Sequence, residues 1–175
     1  MKTRTPEDIT DDIRKLCLAA AGSSDPFYVD VRPEGGAAVS NCFVNVVGKV
    51  SRDGGAAVLG WAIWEWPRAL IEAEFHANWK SPEGEVVDIT PKPESGINRM
   101  LFIPDSSRKY EGKRVQSIRE PLTEDPVVAE FIAASWNYER LTGDIVGVNI
   151  VKNTREWRDA RRKFQRTADV MNAKY

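Results

Sequence analysis

Apolar residues recur at helical spacing near the start of the chain and then switch to strand spacing. Those between positions 9 and 20 fall on one helical face. The segment Thr5-Pro6-Glu7-Asp8 predicts the beginning of this helix, because it offers a hydroxyl cap, a proline in the first turn and acids near the positive end of the helix dipole. Gly22 predicts its end. A short strand is then expected over residues 27–31.

The segment from residue 39 to residue 50 is rich in valine, and its apolar positions lie on one helical face. Its β-branched content is also compatible with a strand. Helical spacing, together with a stop at Asp53-Gly54-Gly55, favours the helix. Ser40 or Asn41 would then be the N-cap.

The middle of the chain is expected to form a meander of strands. Residues 56–66 are almost continuously apolar, which predicts a strand buried on both faces. Residues 70–79 alternate, and residues 81–85 have the composition of a hairpin turn. Return and further strands are predicted over 85–90 and 100–104.

The last third of the chain has mainly helical patterning. One helix is predicted from Pro126 to Leu141, ended by Gly143. A strand is expected over residues 145–151, followed by a final helix to about Ala173 that is capped by Asn153 or Thr154. These elements together predict an α+β fold in which a mostly antiparallel sheet packs against helices.

The length of 175 residues favours one domain over residues 1–175. It divides into an N-terminal helix and strand (1–37), a candidate core (38–105) and a helical C-terminal part (106–175). The 25 basic and 26 acidic residues nearly cancel, so there is no global field to attract nucleic acid or a membrane surface.

Localisation is inferred from two absences. No apolar run is long enough to cross a bilayer, so no membrane partner is expected. The first twelve residues lack the apolar core of a signal peptide, so we expect a cytoplasmic protein. In a reducing compartment Cys17 and Cys42 would be free thiols.

Three residues form a candidate catalytic group. Cys42 would lie in the first turn of a helix, where the dipole favours the nucleophilic thiolate. A three-residue hairpin loop pairs Ser81 with Glu85, and this register places His76 and Asp88 on one face of the hairpin. A thiol, a base and a group that orients the base are what cysteine catalysis requires.

The order of these residues resembles the papain-like and transglutaminase-like cysteine superfamily, including the NlpC/P60 and double-glycine peptidases. The resemblance covers residues 38–91 and is carried by Ser40-Asn41-Cys42-Phe43, Glu74-Phe75-His76-Ala77-Asn78-Trp79 and Val86-Val87-Asp88-Ile89-Thr90-Pro91. It implies a papain-like or transglutaminase-like core and a thiol-dependent hydrolase or acyltransferase that acts on an amide or acyl carbonyl. A peptide or protein is the expected substrate, and no cofactor is required.

The chain also resembles an uncharacterised bacterial and phage group through Gly60-Trp61-Ala62-Ile63-Trp64 and Val87-Asp88-Ile89-Thr90-Pro91, a resemblance that implies no activity. In the cysteine superfamily a tryptophan often follows the cysteine and papain-like members carry an upstream glutamine, whereas this chain has Phe43 and no such glutamine. The sequence therefore does not assign the residue that would donate a hydrogen bond to the oxyanion. Candidate oxyanion or substrate-binding residues are Asn41, Asn45, Trp61, Trp64 and Asn78.

Other interpretations of the same residues remain. Cys42 can be a small apolar filler, and Cys42, His76 and Asp88 can be zinc ligands, which is the less favoured alternative. The runner-up function is a non-catalytic bacterial or phage binding protein that uses the tryptophan-rich sheet or the basic C-terminal helix. That helix would meet an acidic protein or nucleic acid through Arg155, Arg158, Arg161 and Arg162. A solvated helix anchored by its apolar face is the simpler interpretation.

Overall fold

A computed structural model describes residues 3–142 and 154–175, which form an α+β fold. The helices are α1 (Asp11–Ala21), α2 (Cys42–Asp53), α3 (Pro126–Thr142) and α4 (Arg155–Lys174). The strands are β1 (Phe27–Val31), β2 (Ala56–Trp66), β3 (Leu70–Lys80), β4 (Val86–Asp88), β5 (Arg99–Pro104) and β6 (Ile118–Pro121). No helix in these two ranges is long and apolar enough to cross a membrane.

The sheet is mixed and closes on itself. Its strand order is β2-β5-β1-β4-β3, and β2 also pairs with β3 along eleven residues, so five strands form a ring. The β1–β4 pairing is parallel and the others are antiparallel. The prediction of a mostly antiparallel sheet with helices is confirmed at this coarse level. β2, β3 and β4 pair in succession as the predicted meander requires, but β5 does not continue it, because β1 lies between β4 and β5.

The first helix begins later than predicted. Thr10 is its N-cap and accepts a hydrogen bond from the backbone N–H of Ile13 at 3.3 Å. The predicted cap, Thr5, donates its hydroxyl to the carbonyl of Arg99 at 2.7 Å instead. Arg4 pairs with Glu65 through two backbone hydrogen bonds, so this segment is held against the sheet and is not helical. Gly22 ends the helix as predicted, with a φ of 71°.

The elements that carry the candidate residues follow the sequence pattern closely. The valine-rich segment is a helix, capped at Asn41. In the β3–β4 hairpin Trp79 pairs with Val87, and the N–H of Ser81 donates to the carbonyl of Glu85 at 2.8 Å, which is the predicted register. The return strand is shorter than predicted, because its pairing with β3 ends at Val87 and the strand itself ends at Asp88.

The C-terminal part differs from expectation in one strand. The sequence pattern did not predict β6, which pairs with the first half of β3. α3 occupies the predicted region, and α4 is capped by Thr154, whose hydroxyl accepts from the N–H of Trp157 at 3.1 Å. The predicted stop at Gly143, the strand over 145–151 and the alternative cap Asn153 lie outside the described residues.

The two faces of the closed sheet have different packing partners. On the outer face α1 and α2 pack against an apolar cluster that includes Trp61, Phe75 and Leu101. On the opposite face, which is the interior of the ring, lie Trp64, Phe102 and other apolar side chains. A third cluster joins the end of the β2–β3 hairpin to α3 and α4.

Candidate active site

Cys42 is the first residue of α2 and its side chain is buried, with 7% of the residue exposed. The preceding residues make an unusual turn, in which Ser40 has a φ of 57°. Asn41 is the N-cap, but its side chain caps none of the backbone N–H groups in the described residues, and its Oδ1 is buried there without a hydrogen-bond partner. The thiol therefore lies at the positive end of the helix dipole, as predicted.

His76 and Asp88 lie together beyond the last paired residues of the β3–β4 hairpin. The two atoms that face each other, Nε2 of His76 and Oδ2 of Asp88, are 3.2 Å apart. Among the described residues this contact falls short of an aligned hydrogen bond, so it is an ion pair when the imidazole is protonated. The other carboxylate oxygen, Oδ1, accepts from the N–H of Thr90 at 2.9 Å. Both side chains are almost fully buried.

The electrostatic environment favours a charged pair. Burial by itself lowers the pKa of His76, but the charge of Cys42 and the contacts with Asp88 and with the Cys42 thiol raise that pKa to about 9. Burial raises the pKa of Asp88, but His76 and Lys92 outweigh it and hold that pKa at about 2. The contacts with Cys42 and Asp88 therefore favour the protonated form of the imidazole.

Lys92 is a neighbour that the sequence analysis missed. Its Nζ contacts Oδ2 of Asp88, and its side chain is 9% exposed. The ammonium also lies over the ring of Trp64, 5.5 Å from the centroid. Lys92 lies four positions after Asp88, but the segment is not helical, so the spacing contains no signal for this contact.

These side chains open onto a cavity of about 260 Å³. Cys42, His76 and Thr90 contribute to its lining. Further lining residues are Trp64, Glu72, Glu74, Arg119, Tyr138 and Glu139, together with the segment 90–94. The indole N–H of Trp64 donates to Glu74 at 2.9 Å. Because Glu72, Glu74 and His76 alternate on β3, their side chains share one face of the strand, as the sequence pattern predicted.

A buried ionic cluster joins the cavity to α3. Arg119 of β6 contacts Glu72 at 2.7 Å and Glu139 of α3 at 2.5 Å. Burial raises the pKa of Glu72, and the charge of Arg119 opposes that effect. This cluster could not be found from sequence, because its members are 20 and 47 residues apart and β6 was not predicted.

The five candidate oxyanion or substrate-binding residues have different positions. Trp64 lines the cavity, whereas Trp61 is fully buried on the helix-packed face and donates to Asp105 at 3.1 Å. Trp61 thus does not line the cavity of Cys42 and His76, because the alternation of β2 turns it to the other face of the sheet. Asn78 is fully buried, and neither of its amide atoms has a partner in the described structure.

Asn45 has a structural role, because both ends of its side-chain amide make hydrogen bonds to neighbouring segments. Its Oδ1 accepts from the N–H of Ala38 at 3.0 Å, and its Nδ2 donates to the carbonyl of Ala38 at 2.8 Å. Nδ2 also lies 3.2 Å from Oγ1 of Thr90. The side chain therefore ties α2 to the segment before it and to the chain after β4.

The structure also bears on the two alternative interpretations, a metal site and a basic C-terminal helix. Within residues 3–142 and 154–175 no group of three or more His, Cys, Asp or Glu side chains is arranged to hold a metal ion. On α4, Ala160, Ala168 and Met171 are buried, so this helix is anchored by its apolar face.

The two cysteines, Cys17 and Cys42, are both free and buried.

Fold and site together define an α+β protein with a thiol and an imidazole at one cavity and a buried carboxylate beside the imidazole. Comparison of the chain with protein-family models gives no match, and comparisons with curated proteins and with solved structures give none either.

Proposed function

We propose that this protein is a thiol-dependent enzyme that attacks an amide or related acyl carbonyl. Cys42 is the nucleophile, His76 is the general base and then the general acid, and Asp88 orients the imidazole. The observation that carries the proposal is the position of the chain's single imidazole. Its Nε2 lies 3.2 Å from Oδ2 of Asp88, and it lines the same cavity as the thiol at the beginning of α2.

The chemistry proceeds in two halves. His76 takes the proton of the Cys42 thiol, and the thiolate sulfur forms a bond to the carbonyl carbon. When the tetrahedral oxyanion collapses, the C–N bond breaks and the imidazolium gives its proton to the leaving amine, which leaves a thioester on Cys42. His76 then takes a proton from water or from an acceptor amine, whose oxygen or nitrogen displaces the sulfur and regenerates the thiol.

The helix terminus supports the developing charge. The backbone N–H groups in the first turn of α2 have no partner within the helix, so the N–H of Cys42 is the proposed oxyanion donor. The papain-like or transglutaminase-like core belongs to the same proposal, as does a peptide or protein substrate. Water as the acceptor gives a peptidase or amidase, or a deamidase when the substrate is a side-chain amide, whereas an amine as the acceptor gives a transglutaminase-like acyltransferase.

Selective alkylation tests the nucleophile. Iodoacetamide at neutral pH, followed by peptide mass spectrometry, should modify Cys42 at least about a hundredfold faster than Cys17 in the folded protein. Cys17 is an internal control, because it is fully buried and burial raises its pKa to about 11. His76→Asn should slow the modification of Cys42 at least about tenfold while leaving the rate at Cys17 unchanged.

The result that contradicts the proposal is equal, slow modification of both cysteines, or a fast rate at Cys42 that His76→Asn does not change. Cys42→Ser is the matched variant for any later activity assay. With a panel of fluorogenic peptide amides, hydrolysis by the wild-type protein and its loss in Cys42→Ser would identify the reaction, and added hydroxylamine would reveal acyl transfer.

A second proposal concerns the exposed face of α4, which suits an acidic protein or nucleic acid. The side chains of Arg155 and Arg162 are 91% and 67% exposed, and a single acid, Asp159, faces both. A salt titration of binding to a DNA duplex tests it: a steep decline of affinity with salt supports the proposal, and a weaker slope is expected in Arg155→Ala/Arg162→Ala. Absence of measurable binding at low salt would contradict it.

A further inference from the structure

One oxygen of Asp88 faces two cations. Oδ2 lies 3.2 Å from Nε2 of His76 and is also the atom that Nζ of Lys92 contacts. The other oxygen, Oδ1, is held by the N–H of Thr90. Oδ1 is thereby fixed by a hydrogen bond, and Oδ2 is shared between the imidazole of His76 and the ammonium of Lys92.

The position of Lys92 is unusual for a lysine. Its side chain is nine-tenths buried, and burying an ammonium costs free energy unless an opposite charge lies beside it. Asp88 supplies that charge, and the ring of Trp64 supplies a cation–π contact. The ammonium also lies 3.9 Å from the sulfur of Met100. Lys92 is therefore held at a defined place beside the candidate catalytic pair.

We propose that Lys92 is a positioning residue of this site: by occupying the oxygen of Asp88 that faces His76, it limits how strongly the carboxylate holds the imidazolium and so keeps His76 able to release its proton to a leaving group. The catalytic meaning of this inference rests on the proposed function. The electrostatic part does not, since it concerns only three side chains in contact.

The charged groups around His76 act in opposite directions. Cys42 on α2 and Asp88 on β4 raise the pKa of the imidazole, whereas Lys92 lowers it. The remaining ionisable groups that line the same cavity are Glu72, Glu74, Glu94, Arg114, Arg119, Tyr138 and Glu139. Removing the charge of Lys92 removes a repulsion and also frees Oδ2 for His76, so both effects raise the pKa of His76.

The single histidine makes the measurement direct, because its Cε1–H gives one cross-peak to follow in a proton–carbon NMR spectrum of the whole protein. Lys92→Met should raise the pKa of His76 by about one unit. Lys92→Arg keeps the charge and should leave the value close to that of the wild type. Lys15→Met removes an exposed charge on α1 and is the matched control, with no change expected.

An unchanged or lowered pKa of His76 in Lys92→Met would overturn the inference. Lys92→Gln, which has no charge but keeps a hydrogen-bond donor for Oδ2, should also raise the pKa of His76, by less than Lys92→Met, and an unchanged or lowered value there would likewise overturn the inference. A measurement on the wild-type chain guards against misfolded variants. With lysines carrying carbon-13 methyl groups, the Lys92 signal should show an inflection at the pKa of His76, and its absence also overturns the inference.

Failure of this inference and failure of the proposed function are distinguishable. If Lys92→Met raises the pKa of His76 but Cys42 is not selectively alkylated, the electrostatic inference stands and the enzyme proposal fails. If Cys42 is selectively alkylated but the pKa of His76 does not respond to Lys92→Met, the enzyme proposal stands and Lys92 has no part in it.

Discussion

Gly60 lies directly opposite His76 in the β2–β3 ladder, and the place of its missing side chain is taken by the strand on its other side. A Cβ at Gly60 would lie 2.2 Å from the carbonyl oxygen of Ile103 and 2.6 Å from the ring of Phe102. The glycine therefore allows β5 to approach β2 closely beside the strand that carries the imidazole. This approach is part of the closure of the five-stranded ring.

Gly60→Ala is expected to destabilise the protein by about 3 kcal/mol or more, because backbone atoms of β5 have to move. Urea unfolding measures the effect. Gly48→Ala is the matched control: its Cβ would meet no atom within 4 Å in the described structure, and it lies inside α2. That change should stabilise the protein by about 0.5–1 kcal/mol. Equal effects of the two substitutions would contradict this account of the closure.

The pH dependence of stability should reveal the raised pKa of His76. The folded value is about 9 against an ordinary 6.5. The unfolded chain therefore releases this proton first, so the contribution of His76 to stability is complete below pH 6.5 and is lost as the pH rises towards 9. Unfolding of the wild type at about pH 6 and about pH 8.5 should show this decline, and His76→Asn should show less of it. Parallel pH profiles in the two proteins would count against the raised value.

Asp88 should affect the pH dependence of stability at low pH, where stability falls as the pH is lowered rather than raised. Its folded pKa is about 2 against an ordinary 3.8, so its contribution is present above about pH 4 and is lost as the pH falls towards 2. Asp88→Asn should reduce the acid sensitivity of unfolding between about pH 4 and pH 2. Asp30, a half-exposed aspartate whose side chain contacts Arg32, provides the comparison through Asp30→Asn, and a smaller change is expected there. A larger change in Asp30→Asn would refute the assignment.

Arg119 should be one of the most sensitive charged positions. Arg119→Met leaves Glu72 and Glu139 buried beside each other without their shared cation, so a loss of about 3–5 kcal/mol in the free energy of unfolding is expected. Arg114→Met is the control, because Arg114 reaches the same carboxylate of Glu139 from a half-exposed position at 3.9 Å. Its loss should stay below about 1 kcal/mol. Adding Glu139→Gln to Arg119→Met should recover part of the stability.

Asn45 should matter for both stability and the position of the thiol. Asn45→Ala removes its hydrogen bonds to Ala38 and Thr90, and a loss of about 1–3 kcal/mol is expected. Because these bonds hold the segment before α2, the alkylation rate of Cys42 should change as well. Asn137→Ala, at a surface position on α3, should leave both quantities nearly unchanged. An unchanged alkylation rate in Asn45→Ala would show that the reactivity of the thiol does not depend on these hydrogen bonds.

Local spacing was enough to predict the elements that carry the candidate residues. The register of the β3–β4 hairpin follows from a three-residue loop in which Gly84 adopts a φ of 98°, together with the alternation of apolar side chains on either side of it. The helix that begins at Cys42 follows from the spacing of its apolar positions. These features depend on residues that are near one another in the chain, so the sequence contains the signal.

Only the tertiary structure decided what surrounds them. The insertion of β5 between β2 and β1, the parallel β1–β4 pairing and the late beginning of α1 depend on contacts between distant segments. The same holds for the cluster around Arg119 and for the ammonium of Lys92 beside Asp88. Spacing determines which face of an element a residue occupies, whereas the partner of a buried charge is determined by how the faces of different elements pack together.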